Sequence, residues 1–146
     1  MNSQPSFPDS LSRYIQPRRF AFWLLIYLFV HFGLRVFFTD TLQVDDVEQL
    51  YHSQGFRLDY GNFQPPLYTW ILWLLWKFVD PSFAALYLVR YIIIGLSFWL
   101  WYRVSLLLFK DVGCQFVAAT SWLLLFEFGW KLHQGSTHTT LLTLAL

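Results

Sequence analysis

The residues able to do chemistry fall in three short strings of an otherwise apolar chain. The first is Asp45-Asp46-Val47-Glu48-Gln49-Leu50-Tyr51. The second is Gly61-Asn62-Phe63-Gln64-Pro65-Pro66-Leu67-Tyr68-Thr69-Trp70, and the third runs from Phe126 through Glu127, Lys131 and His133 to Ser136-Thr137-His138-Thr139. On a helix, Asp45, Glu48 and His52 share one face and could hold a divalent metal. Three polar residues on a solvated face are the commoner arrangement. The sequence has no phosphate-cradling glycine loop, nucleophile elbow or His-Glu-x-x-His zinc motif. Two further cations, Arg90 and Arg103, lie inside apolar runs. A charge at mid-membrane costs at least ~2.5–3.5 kcal/mol on insertion scales, so each must snorkel or find a partner. Arg103 sits near a run's end and can snorkel, whereas Arg90 can also pair with a carboxylate.

The elements that must position these strings are membrane helices. Of 146 residues, 56% are hydrophobic and 13% charged, about half the usual charged share of a soluble domain. Aromatic residues make up 22%, and Trp and Tyr favour the membrane–water interface. The net charge of +1 offers no patch for nucleic acid. The lone Cys114 excludes an internal disulfide and a multi-cysteine metal site, and reads as a small buried residue.

Residues 1–19 form a polar, proline-containing tail. Phe20–Phe38, about 19 residues and nearly all apolar, matches the ~30 Å hydrocarbon core. It is too long for a signal peptide and lacks a small-residue cleavage site, so it reads as a retained helix. Arg13, Arg18 and Arg19 place the N-terminus in the cytoplasm by the positive-inside rule. Loop 39–64 is then outside, with five acids (Asp40, Asp45, Asp46, Glu48, Asp59) against Arg57. Within it Val44, Val47, Leu50, Tyr51 and Gln54 share one helical face, and Asp45, Glu48 and His52 another. That pattern predicts a short amphipathic helix on the outer membrane surface, stopped by Gly55.

Pro65 and Pro66 open the next apolar segment, which runs to about Val79 and is at the short limit for a span. Phe83–Phe109 and Val112–Phe128 are further apolar runs, and another helix starts near Leu141. If 66–79 crosses fully, the chain after Phe128 lies inside. If it only dips into the outer leaflet, Arg103 and Lys110 are cytoplasmic and Lys131–His138 returns outside; positive charge favours the second arrangement. The apolar stretch Leu141–Leu146 reads as an interrupted helix, and the chain as the N-terminal fragment of a longer protein.

The acidic pair after a first membrane helix, then Pro-Pro-Leu opening the second, resembles the GT-C glycosyltransferases. These include the protein O-mannosyltransferases and the lipid A aminoarabinose transferase. The string Gln64-Pro65-Pro66-Leu67-Tyr68-Thr69-Trp70, with the downstream Glu127 and Thr137-His138-Thr139 stretches, is most similar to the rhizobial lipid A and core galacturonosyltransferases. The likeness extends over about Phe20–Leu146. It implies an all-α, polytopic transmembrane bundle, with residues 20–146 the N-terminal part of a GT-C-like module. The site would face the periplasm at the bacterial inner membrane.

The implied reaction is transfer of a hexosyl or pentosyl group, a uronic acid among the candidates, from a polyprenyl-phosphate sugar donor. The acceptor would be a hydroxyl of lipid A, a polysaccharide or a protein. The resemblance makes Asp45 the general base and Asp46 a catalytic partner that orients a group or binds the acceptor. The alternatives are a surface acid capping the helix for Asp45 and a solvated acid for Asp46. Gln64, His138, Lys131, Arg35 and Glu127 become substrate-binding candidates, with His133 a further phosphate contact and Glu127 also a partner for Arg35. The aminoarabinose branch carries Glu-Lys where this chain has Phe63-Gln64, which removes that branch's metal and phosphate contacts. A divalent metal stays possible, with no residues assigned to it. Two other classes fit the composition. One is a transporter or flippase subunit with Arg90 and Glu127 lining a path, although no inverted repeat is visible. The other is a non-catalytic fragment.

Overall fold

The computed structural model describes residues 16–38, 43–61 and 66–135, with Glu127 described by its backbone alone. The expected positions of Gln64 and His138, and the Glu127 side chain, lie outside the described residues. All regular elements described are helical. They are α1 (Pro17–Phe38), α2 (Val44–His52), α3 (Leu67–Leu75), α4 (Phe83–Leu108), α5 (Val112–Thr120), a 3-10 turn (Ser121–Leu124), a π-turn (Glu127–Lys131) and α6 (Leu132–Gln134).

Among the described residues, only α1 and α4, with 22 and 26 residues, are each long and apolar enough to cross a membrane. At ~1.5 Å per residue both exceed the ~30 Å hydrocarbon thickness. Pro17 begins α1, where its missing N–H costs nothing. Ser82 begins α4, its hydroxyl accepting from the Ala85 N–H at 3.3 Å. No residue of α1 is buried, and Phe22, Leu25, Phe29 and Phe37 project outward. A helix apolar all round, with backbone bonds satisfied internally, suits a lipid solvent.

The two long helices run antiparallel. Phe20 stacks on Tyr102 with ring centroids 4.1 Å apart, Tyr27 meets Phe98 edge-on, and Phe32 meets Tyr91 edge-on. The contact register falls on α4 as it rises on α1. Gly95 permits the approach, since a Cβ there would lie 2.7 Å from the Leu28 Cδ1. The start of α4 therefore lies at the same end of the bundle as the finish of α1. The intervening α3 has 9 residues and is too short to cross. It packs on the buried core through Tyr68 and Leu72, beside Leu86, Tyr87 and Ile94.

The apolar run expected as one stretch over 112–128 is broken. Asp111 caps α5, accepting from the Cys114 N–H at 2.9 Å. The Thr120 and Ser121 hydroxyls bond back to Phe116 O and Ala118 O, competing with the helical ladder where α5 ends. The segment 112–124 then meets 128–134 at 67°. Gly129 lies inside the bend, where an added Cβ would meet Leu123 O at 2.3 Å. Cys114, expected to be buried, is exposed because it lies in the first turn of α5, at the bundle's end.

Candidate functional site

The site is organised by α2. Its apolar Val44, Val47 and Tyr51 are exposed, as on a helix facing lipid. Its inward stripe is polar: Asp46, Gln49 and Ser53, at helical spacing, are 0%, 3% and 0% exposed. The alternative of a solvated acid is therefore ruled out for Asp46, because the helix turns this residue into the bundle. Each buried polar group has a partner across an element, as burial requires. The Thr69 hydroxyl donates to Gln49 Oε1 at 2.8 Å. The Trp76 indole donates to Ser53 Oγ at 2.7 Å, and Ser53 donates to Leu50 O.

Asp46 forms the centre of a charge cluster. Arg90 Nη2 donates to one carboxylate oxygen, and Arg35 Nη2 reaches the other at 3.4 Å. The same Arg35 nitrogen donates to Gln134 O at 2.7 Å. The Tyr87 ring lies beneath both guanidinium groups, 5.2 Å from Arg35 Cζ and 5.6 Å from Arg90 Cζ. One cluster thus joins α1, α2, α4 and α6. Arg90 resolves its mid-membrane charge by pairing with a carboxylate 44 residues away. The cluster carries two cations and one anion. Arg35 Nε, Arg90 Nε and Arg90 Nη1 are buried without a hydrogen-bond partner among the described residues. These are the donors that an additional anion would satisfy. Tyr68 lies beside them, and burial pushes its phenol up to about 12, so it stays neutral at physiological pH.

Asp45 precedes Asp46 on α2 and is half-buried, as is Glu48. The pair is thus divided: one carboxylate is locked in the cluster and the other reaches the surface. Lys131 is exposed on the π-turn. His133, expected as a phosphate contact, is buried in a second group two helical turns deeper along α1. Its Nε2 shares a 2.9 Å hydrogen bond with the Tyr27 hydroxyl, and its ring lies 4.5 Å from that of His31 and 5.5 Å from that of Tyr91. His31 Nδ1 donates to Tyr27 O at 3.0 Å. No group of three or more His, Cys, Asp or Glu able to hold a metal occurs among the described residues. Asp45, Glu48 and His52 therefore do not form such a group.

Sequence reasoning missed Gln49, Ser53, Thr69 and His31. The spacing of Asp46, Gln49 and Ser53 was a usable signal, since a polar stripe opposite Val44, Val47 and Tyr51 faces protein when the apolar side faces lipid.

With this geometry in place, known proteins give a consistent comparison. The chain is 27% identical over 126 residues to the lipopolysaccharide core galacturonosyltransferase RgtB of Rhizobium johnstonii, covering 84% of this chain. It is 28% identical over 122 residues to the lipopolysaccharide core galacturonosyltransferase RgtA of the same organism, again over 84% of this chain. The chain spans about a quarter of the length of these curated relatives, 25% and 24% respectively. No family model matches, and no solved structure matches.

Proposed function

We propose that this chain forms part of a membrane glycosyltransferase that acts on lipopolysaccharide or a related cell-envelope glycan. The observation that carries the reading is the division of the acidic pair. Asp46 is held by Arg35 and Arg90 inside the bundle, and this anchors α2, whose neighbouring Asp45 is half-buried and keeps part of its surface open. The similarity to two core galacturonosyltransferases supports the class of reaction.

In this account a polyprenyl phosphate carries the sugar and enters from the surrounding lipid. Asp45 takes the proton from the acceptor hydroxyl as its oxygen attacks the anomeric carbon. The bond to the lipid phosphate breaks, and the phosphate leaves with the electron pair. General-base assistance of this kind contributes typically ~10²–10⁴-fold. The positive field of the Arg35–Asp46–Arg90 cluster stabilises the charge that develops on the phosphate. Gln64, His138, Glu127 and Lys131 remain substrate-contact candidates within the same reading, and the acceptor side faces the periplasm.

The test is transfer by the whole protein in membrane vesicles. Radiolabelled galacturonic acid on polyprenyl phosphate should appear in lipopolysaccharide core when the protein is present. If no sugar moves from any polyprenyl-phosphate donor to any envelope acceptor, the reading fails.

A further inference from the structure

A cleft lies along α2 from the acidic pair. It has a volume of about 300 Å³ and is lined by Ser53, Gln54, Trp73, Trp76, Lys77 and Pro81. Ser53 is seven residues beyond Asp46, roughly 10 Å along the helix. That distance is about two pyranose rings from the charge cluster.

The cleft walls are built rather than incidental. The Trp76 ring is fixed by its indole bond to the buried Ser53 hydroxyl. Trp73 is braced on one side by Phe56, with ring centroids 5.0 Å apart. The Lys77 ammonium lies 4.7 Å from the centroid of the Trp73 ring. Both ion pairs found among the described residues are on Asp46, so Lys77 has no carboxylate partner there. Gln54 is exposed beside it.

We infer that this α2–α3 cleft is a subsite for an acidic saccharide, holding a uronate unit of the acceptor glycan while its neighbour reaches Asp45. This rests on the reading of the chain as a glycosyltransferase. The chemistry matches on three counts. An indole wall takes the C–H face of a pyranose. The exposed Gln54 amide suits sugar hydroxyls. Lys77 supplies the one positive charge, suited to a single carboxylate. A bare phosphate would leave the indole walls unused, and an acyl chain would leave the polar lining unpaired.

The test measures binding directly, with the whole protein in nanodiscs of zwitterionic lipid. The probes are digalacturonate and the neutral digalactoside, which differ only in their carboxylates. Saturation-transfer NMR or equilibrium dialysis should find the acid bound about tenfold more tightly, as a charge-assisted contact implies. Lys77→Gln, at an exposed position, should remove that preference while leaving the neutral sugar unchanged. Trp73→Ala should weaken both. Equal binding of the two sugars, or a preference that survives Lys77→Gln, overturns the proposal. So does competition by inorganic phosphate or by anionic lipid as effective as that by digalacturonate, which would make the cleft a headgroup seat. Asp45→Asn separates the two readings: it should abolish transfer and leave saccharide binding intact. Should it retain transfer, the functional reading falls and the binding result still decides the cleft.

Discussion

At the scale of residues, the Asp46 cluster exchanges a large desolvation cost for three mutually dependent charges. Removing one partner from a buried pair leaves an uncompensated charge and typically costs ~3–5 kcal/mol, whereas replacing both with apolar groups is often close to neutral. Arg90→Met should therefore destabilise the protein by about 3–5 kcal/mol, read as detergent-resistant unfolding. Replacing all three, Asp46→Leu with Arg90→Met and Arg35→Met, should recover most of that loss. A triple variant as unstable as the sum of its parts would show that the groups are not coupled. The partial legibility of this site follows from the same physics. An arginine in an apolar run announces that it needs a partner, so Arg90 stood out. Which carboxylate satisfies it depends on a contact between residues 44 positions apart, and no local pattern encodes that. Asp45 and Asp46 are adjacent and chemically alike, and only the rotation of α2 makes one structural and leaves the other accessible.

At the scale of elements, both long spans were readable because length and continuous apolarity suffice. The expected Phe20–Phe38 and Phe83–Phe109 became Pro17–Phe38 and Phe83–Leu108. The short helix in the acidic loop was readable too, from its periodicity. Its inward face was not, because an apolar stripe normally points to a protein core but here the solvent is itself apolar. The break in the last segment was also missed, since apolarity alone does not distinguish a straight helix from Thr120 and Ser121 turning the backbone aside. Two glycines test the packing. Gly129→Ala sets a Cβ against the backbone oxygen of Leu123, whereas Gly95→Ala sets one against the end of the Leu28 side chain, which can move. The first should cost about 1–3 kcal/mol, the range for overpacking, and the second clearly less. Unfolding measurements on the pair check the order; a larger loss at Gly95 would contradict the described bend. Trp76→Phe should cost about 1 kcal/mol by removing the bond that ties α3 to Ser53.

At the scale of the whole molecule, the antiparallel spans collect opposite features at opposite ends. Arg18, Arg19, Arg103 and Lys110 lie with the Phe20–Tyr102 contact, and α2 with the charge cluster lies at the other end. The positive-inside rule then predicts that Cys114 faces the cytoplasm. In cells with a permeabilised outer membrane, a membrane-impermeant maleimide should leave Cys114 unlabelled. It should label Arg57→Cys in a Cys114→Ser background, and the reverse pattern would invert the proposed orientation. The whole protein is the scale for testing function, because the curated relatives are about four times as long as the matched region. The most direct measurement of the central claim is single-turnover transfer by the whole protein carrying Asp45→Asn, with donor binding and thermal stability measured in parallel. The account predicts a rate lower by ~10²–10⁴-fold, with binding and stability close to those of the unaltered protein. A rate within about threefold of the unaltered protein would contradict Asp45 as the base, since general-base assistance is worth far more than that.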